Sequence, residues 1–473
     1  MDKAIFEKLQ EHHQEHILSF YEKLPSQGQE KLEAQLSEID WNQLDEWIAN
    51  YVFKKPLAAI PADLSPAPYF PLNPETLEQE KLYAKATATG RELISSGKVA
   101  ALTVAGGQGT RLGYDGPKGT YPIMPISQKT FFQYFAESVF RIGNKYGSRL
   151  NWYIMTSQLN DRATRDFFKA NGFFNLAPDQ VSFFMQGTMP AIGLDGKLLL
   201  EAKDSLALAP NGHGGTLLAL RRSGALDRMR NAGVEYISYF QIDNPLVPVI
   251  DPLFLGLHHL ENSEMSARML AKTGPNEKLG NFCVSGKRMQ IIEYSDMPQK
   301  LAEERDSSGK LRFIAGSPAI HIIGRSFVER LTEHGKLSLP WHRADKKVSF
   351  INAAGGLVKP DTPNAVKLES FIFDALPLAS KALVLEACRE EQFAPTKNPT
   401  GVDSVESCRA MLVARDARRL EAAGLAIPRK TNGQADCLVE LSPLLAVDDE
   451  DASAWVKKFN PAAPLCGERK YYG

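Results

Sequence analysis

Apolar residues recur at helical spacing through the first part of the chain: Ile5, Leu9, Ile17, Tyr21 and Leu24, then Leu32, Leu36 and Leu44, set among charged neighbours. This spacing predicts amphipathic helices up to about residue 50. Prolines then crowd the sequence at Pro56, Pro61, Pro66, Pro68, Pro71 and Pro74. Each lacks a backbone N–H and is fixed in φ, so a regular helix or central strand is ruled out. Such a stretch is expected to run extended over a neighbour or to link the helical part to the rest. From Lys98 the period changes: 99–104, 152–155, 181–184 and 236–242 are short apolar runs of strand type, while 131–146, 161–171 and 217–231 carry helical periodicity. This alternation predicts an α/β fold of Rossmann-like type, with a mainly parallel central sheet covered by helices on both faces. Ligands of such sheets sit at the carboxyl ends of the strands, and the last of these runs ends in Asp243. Beyond about Phe373 the chain turns helical and then mixed, with breaks at Pro395, Pro399 and Pro428. The expected division is a helical N-terminal region with its Pro-rich linker over 1–95, the α/β domain over 96–375 and a smaller C-terminal domain over 376–473.

Composition narrows the class. With 473 residues, 43% hydrophobic and 23% charged, the chain fits a globular protein of up to about three domains. Basic and acidic side chains nearly cancel, 55 against 56. That balance argues against a nucleic-acid binder but leaves room for a local phosphate site. Five scattered cysteines, none in a CxxC pair, predict neither a disulfide framework nor a zinc cluster and suit a reducing compartment. The N-terminal MDKAIFEKLQEHHQEH lacks the apolar core of a secretory signal, and no apolar run approaches the roughly 18–20 residues of a membrane span. A soluble, cytoplasmic protein without a membrane partner is expected. His12 and His16 stand four apart on a helix, but no third ligand completes a metal site there. His258-His259 reads as a helix end and Cys283 as core.

The candidate chemistry lies after the first apolar strand, in Ala105-Gly106-Gly107-Gln108-Gly109-Thr110-Arg111-Leu112-Gly113 and Pro117-Lys118-Gly119. Glycines let the backbone bend sharply and approach a ligand, and exposed N–H groups in such a loop form a nest for phosphate oxygens. Arg111 and Lys118 add positive charge, one as a planar fork and one as a point charge. Two commoner phosphate loops are excluded. A dinucleotide fingerprint starting at Gly107 needs Gly or Ala where Leu112 stands, and a Walker A loop needs Gly-Lys-Ser/Thr, whereas Lys118 is followed by Gly119-Thr120.

This loop resembles the signature of the eukaryotic-type UDP-sugar pyrophosphorylases, and within them the UDP-N-acetylhexosamine branch. The resemblance spans nearly the whole chain, through Gln14-Glu15-His16, Trp152-Tyr153-Ile154-Met155-Thr156-Ser157, Gln186-Gly187-Thr188-Met189-Pro190-Ala191, Pro210-Asn211-Gly212-His213-Gly214-Gly215, Asp243-Asn244, Glu293-Tyr294-Ser295, Lys359-Pro360-Asp361 and Phe371-Ile372-Phe373-Asp374. It implies a nucleotidyltransferase domain and a reaction between UTP and a sugar 1-phosphate, giving UDP-sugar and pyrophosphate, with N-acetylglucosamine 1-phosphate as the expected sugar substrate. It also implies roles. Ala105, Gly106, Gly107, Gly109 and Thr110 would hold the nucleotide, and Arg111, Lys118 and Lys397 would stabilise charge during transfer. Gln186 would read the uracil edge, with Gly212 leaving room for the base or ribose and His213 beside it. Asp243 would bind Mg²⁺, Gly280, Glu293 and Ser317 would line the sugar pocket, and Lys367 would lie near the phosphates.

Two positions depart from the acetylhexosamine pattern. His213 and Ser317 each stand where that branch has asparagine, and Gly-His-Gly is closer to the glucose and broad-specificity relatives. A glucose 1-phosphate or broad UDP-sugar enzyme is therefore the alternative, and a non-catalytic nucleotide-sugar binder on the same scaffold is a further one. Taken singly, Asp243 before Asn244-Pro245 is also an ordinary turn starter.

Overall fold

The computed structural model describes residues 1–55 and 60–473. Pro56 lies outside them. The chain divides into two compact units, one built from Met1–Ile60, Gln186–Thr216 and Ser338–Ala375, the other from Pro61–Met185, Leu217–Leu337 and Leu376–Gly473.

In the first unit the expected amphipathic helices are present as Lys3–Glu11, Ser26–Ser37 and Trp41–Trp47. Their apolar stripes supply Leu9, Leu32, Leu36, Leu44 and Trp47 to a core that also takes Ile192 and Leu206 from the middle of the chain and Val366 and Leu368 from later. The lone helical histidines serve structure: His12 Nδ1 lies 3.0 Å from Asp45 and His16 Nε2 lies 2.8 Å from the Leu198 carbonyl. Within the same unit, Ala365–Glu369 pairs antiparallel with His342–Lys346 and with Ile192–Gly193.

The second unit is organised on an 11-stranded sheet. Its path runs from Ser65–Pro66 through Gly280–Ser285, Ala315–Ser317, Met265–Ala271, His321–Gly324, Tyr236–Gln241, Val99–Val104 and Trp152–Thr156 to Val181–Met185. The four strands at the far end pair in parallel, as does Ala382–Glu386 with Met265–Ala271. The remaining pairs, including Tyr236–Gln241 with His321–Gly324 and Met265–Ala271 with His321–Gly324, are antiparallel. The sheet is mixed, which corrects the mainly parallel one expected. Helical crossovers Phe131–Tyr146 and Asp161–Ala170 join the neighbouring parallel strands, whereas Gly280–Ser285 turns back on Arg288–Ile292 as a tight antiparallel hairpin. Ser65–Pro66 sits on the sheet edge, where a proline's missing N–H costs no ladder bond.

Two further expectations change. The helix over 217–231 is broken into Thr216–Arg222 and Ala225–Asn231. The three-part division at 95 and 375 does not coincide with the compact units, because the strand Ala382–Glu386 belongs to the central sheet and the first unit gathers three separated segments. The core behind the strands is aromatic: Phe131, Phe132, Phe135, Trp152, Phe168 and Phe240 are wholly buried. No helix among the described residues is long and apolar enough to cross a membrane.

Candidate active site

The strand Val99–Val104 has Tyr236–Gln241 on one side and Trp152–Thr156 on the other, all parallel. Successive crossovers leave it in opposite directions, so its carboxyl end opens into the crevice where such sheets hold ligands. Val104 and Gln241 are paired in register, so the glycine loop and the Asp243 turn leave neighbouring strands at the same level.

The loop's carbonyls are tied down from behind. Asn160 Nδ2 donates to the carbonyls of Ala105 at 2.9 Å and Gly107 at 3.2 Å, and Ser157 Oγ donates to that of Gly106 at 2.8 Å. Asn160 is itself fixed, its Oδ1 accepting from the Ser157 N–H at 2.9 Å. The Lys118 N–H also donates to the Gly107 carbonyl, at 3.0 Å. With the carbonyls engaged, the N–H groups of Gly106, Gly107 and Gln108 have no protein acceptor among the described residues. Gly107 is exposed, and a Cβ there would meet nothing within 4 Å. The loop thus presents free amide donors to open space, which is the geometry of an anion nest. Thr110 and Arg111 are exposed on the same loop.

Lys118 leaves this loop and places Nζ 2.9 Å from Asp243 Oδ2, with both side chains largely buried. The neighbouring Asn244 explains how Lys397 is brought near. Its Nδ2 donates to the Gln392 carbonyl and its Oδ1 accepts from the Ala394 N–H, both at 2.8 Å, while the Thr396 N–H donates to the Asp243 carbonyl at 2.9 Å. Residues 392–396 are therefore stitched to the Asp243 turn, and the exposed Lys397 follows directly. Burial pushes the Asp403 carboxyl up, Lys397 opposes that shift, and the charge of Asp243 adds to it. The turn-starter reading of Asp243-Asn244 is thus correct for the backbone without displacing its chemistry. Burial drives the nearby Cys408 thiol up to about 12, so it offers no thiolate.

Gly280, Glu293 and Ser317 are brought together in the same unit. Gly280 is the ladder partner of Ser317, and a Cβ on Gly280 would stand 3.1 Å from Glu293 Oε1. Cys283, on the same strand, is fully buried as expected.

Gln186, Gly212, His213 and Lys367 belong to the first unit. Gln186 is buried and donates from Nε2 to the Gly212 carbonyl at 2.8 Å. Gly212 has φ of +84°, and a Cβ there would fall 2.2 Å from the Ser370 carbonyl oxygen. The chain's own Ser370 thus excludes a side chain at this position, which by itself accounts for the glycine. The His213 ring stacks on Phe371 with centroids 5.2 Å apart, and its Nδ1 accepts from the Ile372 N–H at 3.2 Å. Lys367 is half-buried on Ala365–Glu369, paired with Ala344. Sequence reasoning gave no role to Asn160 or Asn244. The signal that could have found them is an asparagine within a few residues of a strand's carboxyl end, beside a glycine loop that needs its carbonyls satisfied.

A family model described as UTP--glucose-1-phosphate uridylyltransferase matches residues 65–450. The chain is 35% identical to the human UDP-N-acetylhexosamine pyrophosphorylase-like protein 1, over 97% of this chain and 95% of that protein. It is 33% identical to UDP-N-acetylglucosamine diphosphorylase 2 of Arabidopsis thaliana, over 96% and 91%. The crystal structure of the Trypanosoma brucei uridine diphosphate N-acetylglucosamine pyrophosphorylase, solved with an inhibitor, superposes with a TM-score of 0.81 at 25% identity, covering 99% of this chain and 97% of that one.

Proposed function

The chain belongs to the UTP–glucose-1-phosphate uridylyltransferase family, and on that premise we propose that it transfers a uridylyl group from UTP to N-acetylglucosamine 1-phosphate, giving UDP-N-acetylglucosamine and pyrophosphate. The observation that carries this reading is the loop of free amides at Gly106, Gly107 and Gln108, fixed beside the Lys118–Asp243 pair.

In the reaction, a phosphate oxygen of the sugar phosphate attacks the α-phosphorus of UTP while the bond to pyrophosphate breaks roughly in line. Both reactants are anions, and a phosphate monoester with a second pKa of about 6 is already largely ionised at neutral pH. Catalysis therefore needs alignment and charge neutralisation and no general base. The amides of the glycine loop bind phosphate oxygens, Arg111 offers a planar fork to the leaving pyrophosphate, and Lys118 and Lys397 supply point charges. Gln186, oriented by the Gly212 carbonyl, keeps its Oε1 for a base N–H.

Asp243 fits Mg²⁺ as a single hard carboxylate. A carboxylate is the hard oxygen donor that Mg²⁺ prefers, and the ion would take its other ligands from phosphate and water. When bound, Mg²⁺ supplies further neutralisation of phosphate charge. The five cysteines are free thiols, which supports a reducing, cytoplasmic setting.

One position, His213, favours glucose 1-phosphate as the competing substrate. Pyrophosphate release from UTP and Mg²⁺ with N-acetylglucosamine, N-acetylgalactosamine, glucose or galactose 1-phosphate separates the readings. Release is expected to be greatest with an N-acetylhexosamine. No release with any of the four rejects the enzyme, and a preference for glucose replaces the sugar.

A further inference from the structure

An open cleft of about 980 Å³ runs along the helix Val405–Ala422. On the helix side it is lined by Ala410, Val413 and Ala414, and across from them by Cys437 and Leu438. The alanines stand four apart, so one face of the helix carries no bulk and leaves the volume empty. Four arginines, Arg409, Arg418, Arg429 and Arg469, line the same cleft with one carboxylate, Glu406.

The arginines are not equivalent. Arg418 Nε lies 2.7 Å from Glu391 and Arg429 Nε 2.8 Å from Glu421, so these two are neutralised. Arg409 donates to the carbonyls of Pro122 at 2.7 Å and Ile123 at 3.0 Å, and reaches the Gln128 amide oxygen at 3.4 Å. Arg469 donates to the Pro125 carbonyl at 3.3 Å. Both therefore bond only neutral oxygens, and Arg469 is exposed. An apolar hollow flanked by two guanidinium groups without carboxylate partners is complementary to one kind of molecule.

We propose that this cleft is a second ligand site, taking a small amphipathic anion: an apolar body seated against Ala410, Val413 and Leu438, and one carboxylate, sulfonate or phosphate head paired with Arg469 and Arg409. The volume lies at the upper end of the roughly 300–1,000 Å³ of small-molecule sites, and the guanidinium fork matches an oxyanion head. The cleft shares no residue with the glycine loop. It adjoins the loop's surroundings, since Pro399 lines it two positions after Lys397 and Arg409 bonds the segment that follows Lys118.

The probe is 8-anilinonaphthalene-1-sulfonate, an apolar body with one sulfonate, titrated into the full chain. One saturable rise in fluorescence is expected, unchanged by added UTP. Ala414→Trp fills the cleft without removing a hydrogen bond and is expected to abolish the rise. Arg469→Gln and, separately, the uncharged dye N-phenyl-1-naphthylamine are each expected to bind about fivefold more weakly, the loss of one charge-assisted contact. Equal binding of the charged and uncharged dyes overturns the proposal. So does displacement by UTP, or an unchanged rise in Ala414→Trp whose circular dichroism matches the parent. Should Ala414→Trp not fold, Ala410→Trp, on the exposed edge of the same face, gives the same reading.

Discussion

Single residues here act through what they hold in place. Lys118 is the clearest case, its ammonium 2.9 Å from Asp243 and its own N–H bound to the Gly107 carbonyl. Lys118→Ala removes the charge and keeps the backbone bond, so the fold should survive while turnover falls on the order of 10²–10³, as for loss of an oxyanion donor. Steady-state kinetics beside a melting curve checks this, and unchanged turnover removes Lys118 from the chemistry. Gly212 is the second case. Its carbonyl orients Gln186, and Gly212→Ala would drive a Cβ to 2.2 Å from the Ser370 oxygen at a φ of +84°. The expected result is a rise in KM for UTP of about tenfold or more, by loss of one well-aligned contact to the base. A KM for UTP equal to the parent's means that Gln186 does not read the base. The glycine loop was legible in the sequence because its chemistry is carried by residue type and local spacing, whereas Asp243 was reached only through the family resemblance, since alone it reads as a turn starter. The work of Asn160 was not legible, since it depends on a strand that becomes a neighbour only after folding.

At the scale of elements, periodicity located the strands and crossover helices closely, because each is set by local burial. The observed Phe131–Tyr146 and Val99–Val104 coincide with the predicted spans. Pairing direction was not legible, since an apolar run reads alike in parallel and antiparallel neighbours. The helix Pro252–Leu260 shows how closely elements approach: a Cβ on Gly256 would lie 1.7 Å from the Ala86 carbonyl oxygen, and one on Gly90 would lie 1.8 Å from that of Pro252. This helix also buries His258, whose Nδ1 lies 2.8 Å from Ser266 Oγ and whose Nε2 has no hydrogen-bond partner among the described residues. Burial, with a lesser contribution from His259, pushes His258 from 6.5 down to about 3. The unfolded chain then binds the proton more readily, so stability is full above pH 6.5 and is lost as pH falls toward about 3. Between pH 7 and 5 the parent should lose about 2 kcal/mol more than His258→Gln, at about 1.4 kcal/mol per pH unit below 6.5. Urea midpoints at both pH values measure the difference, and parallel losses in the two proteins show that His258 titrates normally.

The whole molecule is held by contacts between segments far apart in sequence, which is why its division into units was the least legible feature. Leu32, Ile192 and Val366 meet in one core although no local pattern relates them. The last part of the chain behaves likewise. It read as a separate domain, yet Ala382–Glu386 enters the central sheet, and the later strand Leu438–Leu441 carries Glu440 back to the segment after the glycine loop. Glu440 is wholly buried and accepts from the N–H groups of Ile126 at 2.7 Å and Ser127 at 2.9 Å, and from the Ser127 hydroxyl. Tyr471 adds a 2.8 Å bond from Lys129 Nζ, which also pairs with Glu137 at 2.6 Å. Residues 126–129 are therefore clamped by the C-terminal strands. Glu440→Ala would leave the half-buried N–H groups of Ile126 and Ser127 without an acceptor, a cost of about 2 kcal/mol, whereas Glu440→Gln keeps a carbonyl for them and should lose less. If the clamp serves the chemistry as well as the fold, Glu440→Gln at a temperature where it is fully folded should show lower turnover, because the segment it holds begins six residues after Thr120. Stability loss in Glu440→Ala with parental turnover in the folded Glu440→Gln would confine the clamp to folding, and no stability loss in Glu440→Ala would mean that these N–H groups find other acceptors.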